Sequence, residues 1–283
     1  MGVPIAERLH GAGHELVLYN RTRSKATELA ERCDAEVVER PAELLSRADA
    51  CLTVVADDQA LEEATLGAEG LLAGARPGTV LVDMSTVSVG ASRRVAAAAL
   101  ERGVDVLRAP VSGNPGVVRA GNLAIIVSGP RATYDRLTPM LHDVGPNLFY
   151  VGDAEQARVV KLALNVMIAG TAALLSDALE LAERGGVDAA LLLEVAGGSA
   201  VGSPFVRYKT EPLLRGDYSA TFTTDMMRKD LELVRKQADA SGASLGLAGE
   251  LARLYDASAA AGHGDEDLMA LRLLAHDRRE GTQ

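Results

Sequence analysis

Up to about residue 152, short apolar runs alternate with longer stretches in which apolar positions recur every three or four residues. The runs fall at 16–19 (LVLY), 50–55 (ACLTVV), 79–83 (TVLVD), 105–108 (DVLR) and 124–127 (AIIV). Each is too short for a helix and mostly apolar, the pattern of a parallel strand covered on both faces. Between them, 5–11, 24–32 and 88–102 have helical periodicity, the last closed by Gly103. Such alternation predicts a doubly wound α/β sheet. Beyond Gly152 the character changes. Residues 154–184 read as one long helix stopped by Gly185-Gly186, and further helices follow at 189–195, 226–240 and 245–261, with no persuasive strand. The expected organisation is an α/β domain over 1–152 and an all-α domain over 153–283.

Composition narrows the function. With 48% hydrophobic residues the chain can bury a substantial core, built from Ala, Leu and Val because there are three Phe and no Trp. So few aromatics offer little surface for stacking bases, and a net charge of −10 repels nucleic acid and anionic membranes. Cys33 and Cys51 make no disulfide framework, and the five histidines form no zinc-site pattern with them, His10 and His14 having no cysteine pair at the matching interval. No signal peptide is legible, and no segment reads as long and charge-free enough to cross a bilayer. A cytoplasmic, reducing setting without nucleic-acid or membrane partners is expected. The start is unusual. Doubly wound nucleotide folds open with a strand, a Gly-rich turn and a helix, whereas Met1-Gly2 leads directly into the helix at 5–11. The expectation is a shortened start that lacks the first strand and the first two glycines of a G-x-G-x-x-G turn, at a cost to the sheet.

The strongest candidate chemistry is Lys161 with Asn165, inside a segment (159–169) that is apolar almost all round and so expected to be buried. Four residues apart, ammonium and amide share one helical face. Burial loosens a lysine's proton, which suits acid–base work near neutral pH; the alternative is a lysine snorkelling to the surface beside a satisfied asparagine. The loop Ala109-Pro110-Val111-Ser112-Gly113-Asn114-Pro115-Gly116 can aim N–H groups and the Ser112 hydroxyl at a carboxylate, or be a plain turn. Asp83-Met84-Ser85-Thr86 ends a strand where open sheets bind ligands, although Ser85 or Thr86 could instead cap the next helix. Tyr19-Asn20-Arg21-Thr22 ends a strand at the place where dinucleotide folds read the adenosine ribose and an arginine accommodates a 2′-phosphate; the alternative is an arginine that is only solvated charge. Lys229-Asp230 reads as a surface ion pair of small energetic worth.

Taken in order, these segments resemble the β-hydroxyacid dehydrogenase family, which includes 3-hydroxyisobutyrate dehydrogenase and belongs to the 6-phosphogluconate dehydrogenase superfamily. The resemblance runs from Met1 to about Leu271 and includes an F…KDL segment at Phe222 and Lys229-Asp230-Leu231. It implies a Rossmann-type N-terminal domain and a helical C-terminal domain for substrate and dimerisation. It also implies Lys161 as general acid–base and Asn165 holding the substrate or the lysine. Ser112, Gly113 and Asn114 would bind a small carboxylate substrate. Gly2, Asn20, Arg21, Thr22, Ser85, Thr86 and Lys229 would bind NADP, favoured by Arg21, or NAD, and no metal is implied. Glu155 and Ala157 replace glycines common in the family, Leu164 an asparagine, Val89 a proline, Asn114 a glycine and Val117-Val118 a glycine–alanine pair. The implied activity is hydride transfer between cofactor and a small β-hydroxy acid or semialdehyde, in a homodimer or homotetramer. Alternatives are an NADPH-dependent imine reductase, against which Lys161 argues, and a catalytically silent scaffold. A loop over 198–207 is expected to line the substrate pocket.

Overall fold

The computed structural model describes residues 1–274; positions 275–283 of the expected all-α domain, His276 among them, lie outside the described residues. The chain divides into two units, Met1–Lys161 and Leu162–Gln283.

The first unit opens with α1 (Gly2–Gly11), which buries Ile5, Ala6 and Leu9 on one stripe. It continues through β1 (Val17–Leu18), α2 (Arg23–Cys33), β2 (Glu36–Val37), α3 (Ala42–Arg47), β3 (Ala50–Thr53) and α4 (Asp58–Leu66). Then come β4 (Val80–Asp83), α5 (Val89–Leu100), β5 (Asp105–Arg108), β6 (Val111–Ser112) and α6 (Pro115–Arg119). β7 (Ala124–Ser128), α7 (Arg131–Val144) and β8 (Asn147–Gly152) lead into α8 (Gln156–Arg184). The main sheet has the order β3-β4-β5-β7-β6, with β8 on β7. β3, β4 and β5 run parallel with Thr53, Asp83 and Arg108 level at their carboxyl ends. Alternate β4 residues feed opposite layers: Val80 and Val82 pack with Leu107 and Leu141, Leu81 with Leu61 and Val95.

Two expectations need correction here. β7 is antiparallel to β5 and β6 and parallel to β8, so the sheet is mixed. An all-apolar run reports burial on both faces, which does not fix strand direction. The sheet is also divided. β1 and β2 pair only with each other, apart from the sheet that begins at β3. Between β1 and β3 lies a cavity of about 380 Å³, lined by Ile5, Leu9, Val17, Leu18, Cys51 and Leu52 among others.

The second unit takes up α8 at Leu162 and adds α9 (Ala189–Gly198), α10 (Pro204–Arg215), α11 (Thr224–Ser241) and α12 (Ala248–Ser258). Among the described residues it contains no strand, only an isolated bridge between Thr223 and Asp267. Its core gathers Ala169, Leu179, Phe205, Met227, Leu231 and Tyr255. A buried ion pair fixes its end: Lys209 Nζ lies 2.6 Å from both Asp267 oxygens and donates to Thr221 Oγ1 at 2.8 Å. The stretch expected as a loop to residue 207 is helical from Pro204, because Ser203 caps α10 and proline is pre-shaped for its first turn. A further correction concerns α8. An 18-residue window in it has a mean hydropathy of 1.8, so the helix is long and apolar enough to cross a membrane. Lys161 is the one charge inside that stretch, which Arg158 and Asp177 bound, and a single charge does not bring its mean hydropathy below that of a spanning segment. Half of that window is buried by its own fold, as in a core helix.

Candidate functional site

In the first unit Gly2, Ser85 and Thr86, three of the residues expected at a cofactor, lie where α1 starts and β3 and β4 end. Gly2 is the first residue of α1, and a Cβ built on it would lie 3.9 Å from Val54 Cβ. The next residue, Val55, donates its N–H to Ser85 Oγ at 2.9 Å. Ser85 therefore does not cap the following helix, and neither does Thr86. Ser88, next to the first residue of α5, takes that role by accepting from Ala91 N at 3.0 Å. Asp83 is wholly buried, and its Oδ1 accepts from Thr53 Oγ1 at 2.7 Å and from Ser85 N at 3.1 Å.

At the other end, Asn20, Arg21 and Thr22 are exposed after β1, and Asn20 Nδ2 donates to the Thr22 carbonyl at 2.8 Å. The side chains at the N-caps of α1 and α2, Met1 and Thr22, make no capping hydrogen bond. Amides at two helix starts, with the Arg21, Arg23 and Lys25 cations around the second, form a donor set that fits a phosphorylated dinucleotide.

The substrate-loop residues are more ordered than a turn. Val111–Ser112 is itself a short strand, with Ser112 paired to Ala124. Gly113 has φ 145°, and a Cβ there would meet Val117 Cγ1 at 2.9 Å and Leu123 Cδ1 at 3.0 Å. Only glycine fits both the angle and the space. Asn114 caps α6, its Oδ1 accepting from Val117 N at 3.0 Å, which leaves the amide nitrogen for a ligand. Lys161 lies in the second turn of α8 and is half-buried, not buried as the apolar pattern implied. One face of this helix is open, with Val159, Met167, Leu174 and Leu181 exposed.

In the second unit, Asn165 and Lys229 meet on one carboxylate. Asn165 is buried and donates through Nδ2 to Asp230 Oδ2 at 2.5 Å, while Lys229 Nζ lies 2.9 Å from Asp230 Oδ1. The surface-pair reading of Lys229-Asp230 is thus overturned: Asp230 is 1% exposed. It lies on the inner face of α11 with Met227 and Leu231, a face the charged flanks of that helix disguise. Asp230 is the member of this cluster to which sequence reasoning assigned no role of its own. Holding the Asn165 amide, it leaves the side-chain carbonyl as an acceptor for a hydroxyl or an ammonium. The cysteines supply no nucleophile, since both are buried and burial pushes their thiols up, Cys51 to about 12.

Residues 1–152 match the family of the NAD binding domain of 6-phosphogluconate dehydrogenase, and 156–274 that of the NAD-binding domain of NADP-dependent 3-hydroxyisobutyrate dehydrogenase. The uncharacterized oxidoreductase YfjR of Bacillus subtilis is 33% identical over 96% of this chain and 95% of its own. Glyoxylate/succinic semialdehyde reductase 2 of Arabidopsis thaliana, a chloroplastic protein, is 28% identical over 96% of this chain and 75% of its own. The human cytokine-like nuclear factor N-PAC is 30% identical over 96% of this chain, which spans about half of that protein's length (49%). Among solved structures, Mycobacterium tuberculosis 3-hydroxyisobutyrate dehydrogenase with L-serine superposes with a TM-score of 0.86 at 30% identity, covering 97% of this chain and 95% of that one. A second, Psf3 with NADP+ and 2-OPP, shares the fold with a TM-score of 0.89 at 24% identity, covering 97% and 96%.

Proposed function

The chain belongs to the β-hydroxyacid dehydrogenase family of NAD(P)-binding oxidoreductases, and we propose that it interconverts a small β-hydroxy acid and its semialdehyde, with Lys161 as general acid–base. The observation that carries this reading is the pairing of Lys161 with Asn165 one helical turn apart on α8, the latter's amide oriented by buried Asp230. When bound, the nicotinamide cofactor supplies or accepts the hydride. In the reductive direction the Lys161 ammonium donates a proton to the substrate's carbonyl oxygen as negative charge develops there, and takes it back in the oxidative one. The Asn165 carbonyl orients the lysine or the substrate hydroxyl. Ser112, Gly113 and the Asn114 amide bind the carboxylate, in a loop whose shape Gly113 enforces. L-serine, a small carboxylate with a β-hydroxyl, bound to the M. tuberculosis enzyme supports this substrate class. So does the semialdehyde in the Arabidopsis reductase's name. The test is NADPH and NADH oxidation against a panel of small β-semialdehydes and glyoxylate. Turnover of a β-semialdehyde supports the reading, and cofactor binding without turnover of any of them overturns it.

NADP is the proposed preference because Arg21 follows β1, and an arginine at the end of the ribose-reading strand of a doubly wound fold accommodates a 2′-phosphate. Arg21→Glu is expected to lower kcat/KM with NADPH by about ten- to a hundredfold, the worth of one charge-assisted hydrogen bond, while NADH loses little. Equal losses with both cofactors would remove Arg21 from the ribose site.

A homodimer or homotetramer is proposed in turn. Met167, Leu174 and Leu181 recur every seven residues along α8 and are all exposed, an apolar stripe of the kind that marks an interface. Leu174→Glu with Leu181→Glu is expected to shift the protein to a monomer in size-exclusion chromatography with light scattering. An unchanged mass would place the subunit contact elsewhere.

A further inference from the structure

Arg158 is the largest wholly buried side chain of the first unit, and it breaks a local rule. A cation in the first turn of a helix opposes the macrodipole. Each nitrogen of its guanidinium nevertheless has a partner distant in sequence. Nη2 pairs with Asp83 Oδ2, Nη1 donates to the Ser85 carbonyl at 2.6 Å, and Nε donates to Ser92 Oγ at 3.3 Å. Asp83 in turn holds Thr53 Oγ1 and Ser85 N, and Ser85 Oγ holds Val55 N. One side chain therefore ties together the ends of β3 and β4, the first turn of α5, and the turn of α8 that precedes Lys161. A second buried pair with the opposite polarity lies beside it. Glu155, just ahead of α8, accepts at Oε1 from Arg108 Nε at 3.0 Å and Nη2 at 2.6 Å, at the end of β5. Helix and sheet thus exchange charges twice within one turn, helix cation on sheet anion and sheet cation on helix anion.

We propose that Arg158 is a positioning residue: through Asp83 and the Ser85 carbonyl it sets the register of the Lys161 turn of α8 against the Ser85–Thr86 strand end. The inference rests on the reading of Lys161 as proton donor. A buried ion pair is weak evidence for stability, since a well-packed apolar pair of similar volume often does as well. What the fork of an arginine adds is direction, because donors in one plane fix two acceptors at once. Here the acceptors are a carboxylate of β4 and a carbonyl two residues further on. Their joint engagement orients the peptide between Ser85 and Thr86, whose residues are expected at the cofactor.

The test uses the full chain and two variants, Arg158→Gln and Arg158→Lys, each with two measurements. Hydrogen exchange without cofactor reads positioning directly. Peptides covering 83–88 and 156–162 are expected to exchange at least about tenfold faster in Arg158→Gln, with those of the second unit's core unchanged. Kinetics with NADPH and the best semialdehyde are expected to show kcat reduced about a hundredfold, the scale of a displacement on the order of 1 Å. The acid limb of the pH–kcat profile should shift, and KM for NADPH should rise as well, because the Ser85–Thr86 peptide is expected at the cofactor. Arg158→Lys keeps the charge opposite Asp83 but loses the fork. It is expected to fold and still lose about tenfold in kcat, so it decides the matter if Arg158→Gln does not fold. Wild-type kcat and wild-type exchange at 83–88 in a folded variant would overturn the proposal. A wild-type chain that reduces no semialdehyde would instead sink the functional reading, and the exchange data would still judge Arg158.

Discussion

Lys161→Ala is expected to lower kcat for semialdehyde reduction by roughly a thousandfold, within the range contributed by a positioned general acid. The melting temperature should hardly move. Lys161 is half-exposed, and truncating its stem removes no buried core volume. NADPH affinity should also survive, because the groups expected at the cofactor lie at the starts of α1 and α2, at the end of β4 and, for Lys229, on α11, and Lys161 is not among them. Lys161→Arg separates the two things an ammonium can do. Arginine keeps the positive charge opposite a developing oxyanion but holds its proton far above neutral pH. If the lysine's main service is the proton, Lys161→Arg should be nearly as slow as Lys161→Ala and its kcat should lose the wild-type pH dependence. If electrostatic stabilisation dominates, Lys161→Arg should recover a large part of the rate. Steady-state and single-turnover kinetics from pH 5 to 10 decide between them. Wild-type rates in Lys161→Ala would remove the acid–base role altogether.

What the sequence made legible was local. β3, β4 and β5 announce themselves as apolar runs because each is covered on both faces, and α8 as a long apolar stretch closed by glycines. The weaker elements left no such signal. β2 and β6 are two residues long, and β8 (NLFYVG) exposes Asn147 and Phe149, so neither length nor pattern distinguishes them. α7 carries an internal Pro139, which reads as a breaker. At the site, Lys161 and Asn165 were visible because their spacing is a property of one helix. Asp230 was not. Its burial follows from Asn165, 65 residues earlier, and an isolated K-D pair on an amphipathic helix has no way to announce that partner. Glu155 and Arg158 were equally opaque. In sequence Glu155 is a departure from glycine, but in the fold it meets Arg108, 47 residues back, and Arg158 meets Asp83, 75 residues back. Non-local charge pairing is the part of the design that periodicity cannot carry.

The cavity between β1 and β3 supports the second large effect. A chain extended at Met1 by an apolar β-branched strand and a Gly-x-Gly turn is expected to melt at a higher temperature and to bind NADPH at least about tenfold more tightly. β1 and β3 face one another across about 380 Å³ without pairing, and most side chains around the space are apolar (Ile5, Leu9, Leu18 and Leu52 among them), although Glu15, Asn20 and Lys25 also line it. A strand laid there would bury its side chains on both faces and give the edges of β1 and β3 hydrogen-bond partners. Each fully buried Val or Ile contributes about 1.5–3 kcal/mol, set against about 1–2 kcal/mol per residue for ordering the backbone. The net gain is a few kcal/mol at most, and each one retained raises the melting temperature by about 2–4 °C in a domain of this size. Cofactor affinity should gain by a separate route. The glycine turn would bring backbone N–H groups to the start of α1, whose first turn has no side-chain cap, and that is where a pyrophosphate binds a doubly wound sheet. Differential scanning fluorimetry and NADPH fluorescence titration of both lengths measure the two effects separately. A higher melting temperature with unchanged affinity would mean that the strand fits the cavity but the helix start is not the phosphate site. If neither changes, the cavity does not accept a strand, and the divided sheet is a stable arrangement of this chain.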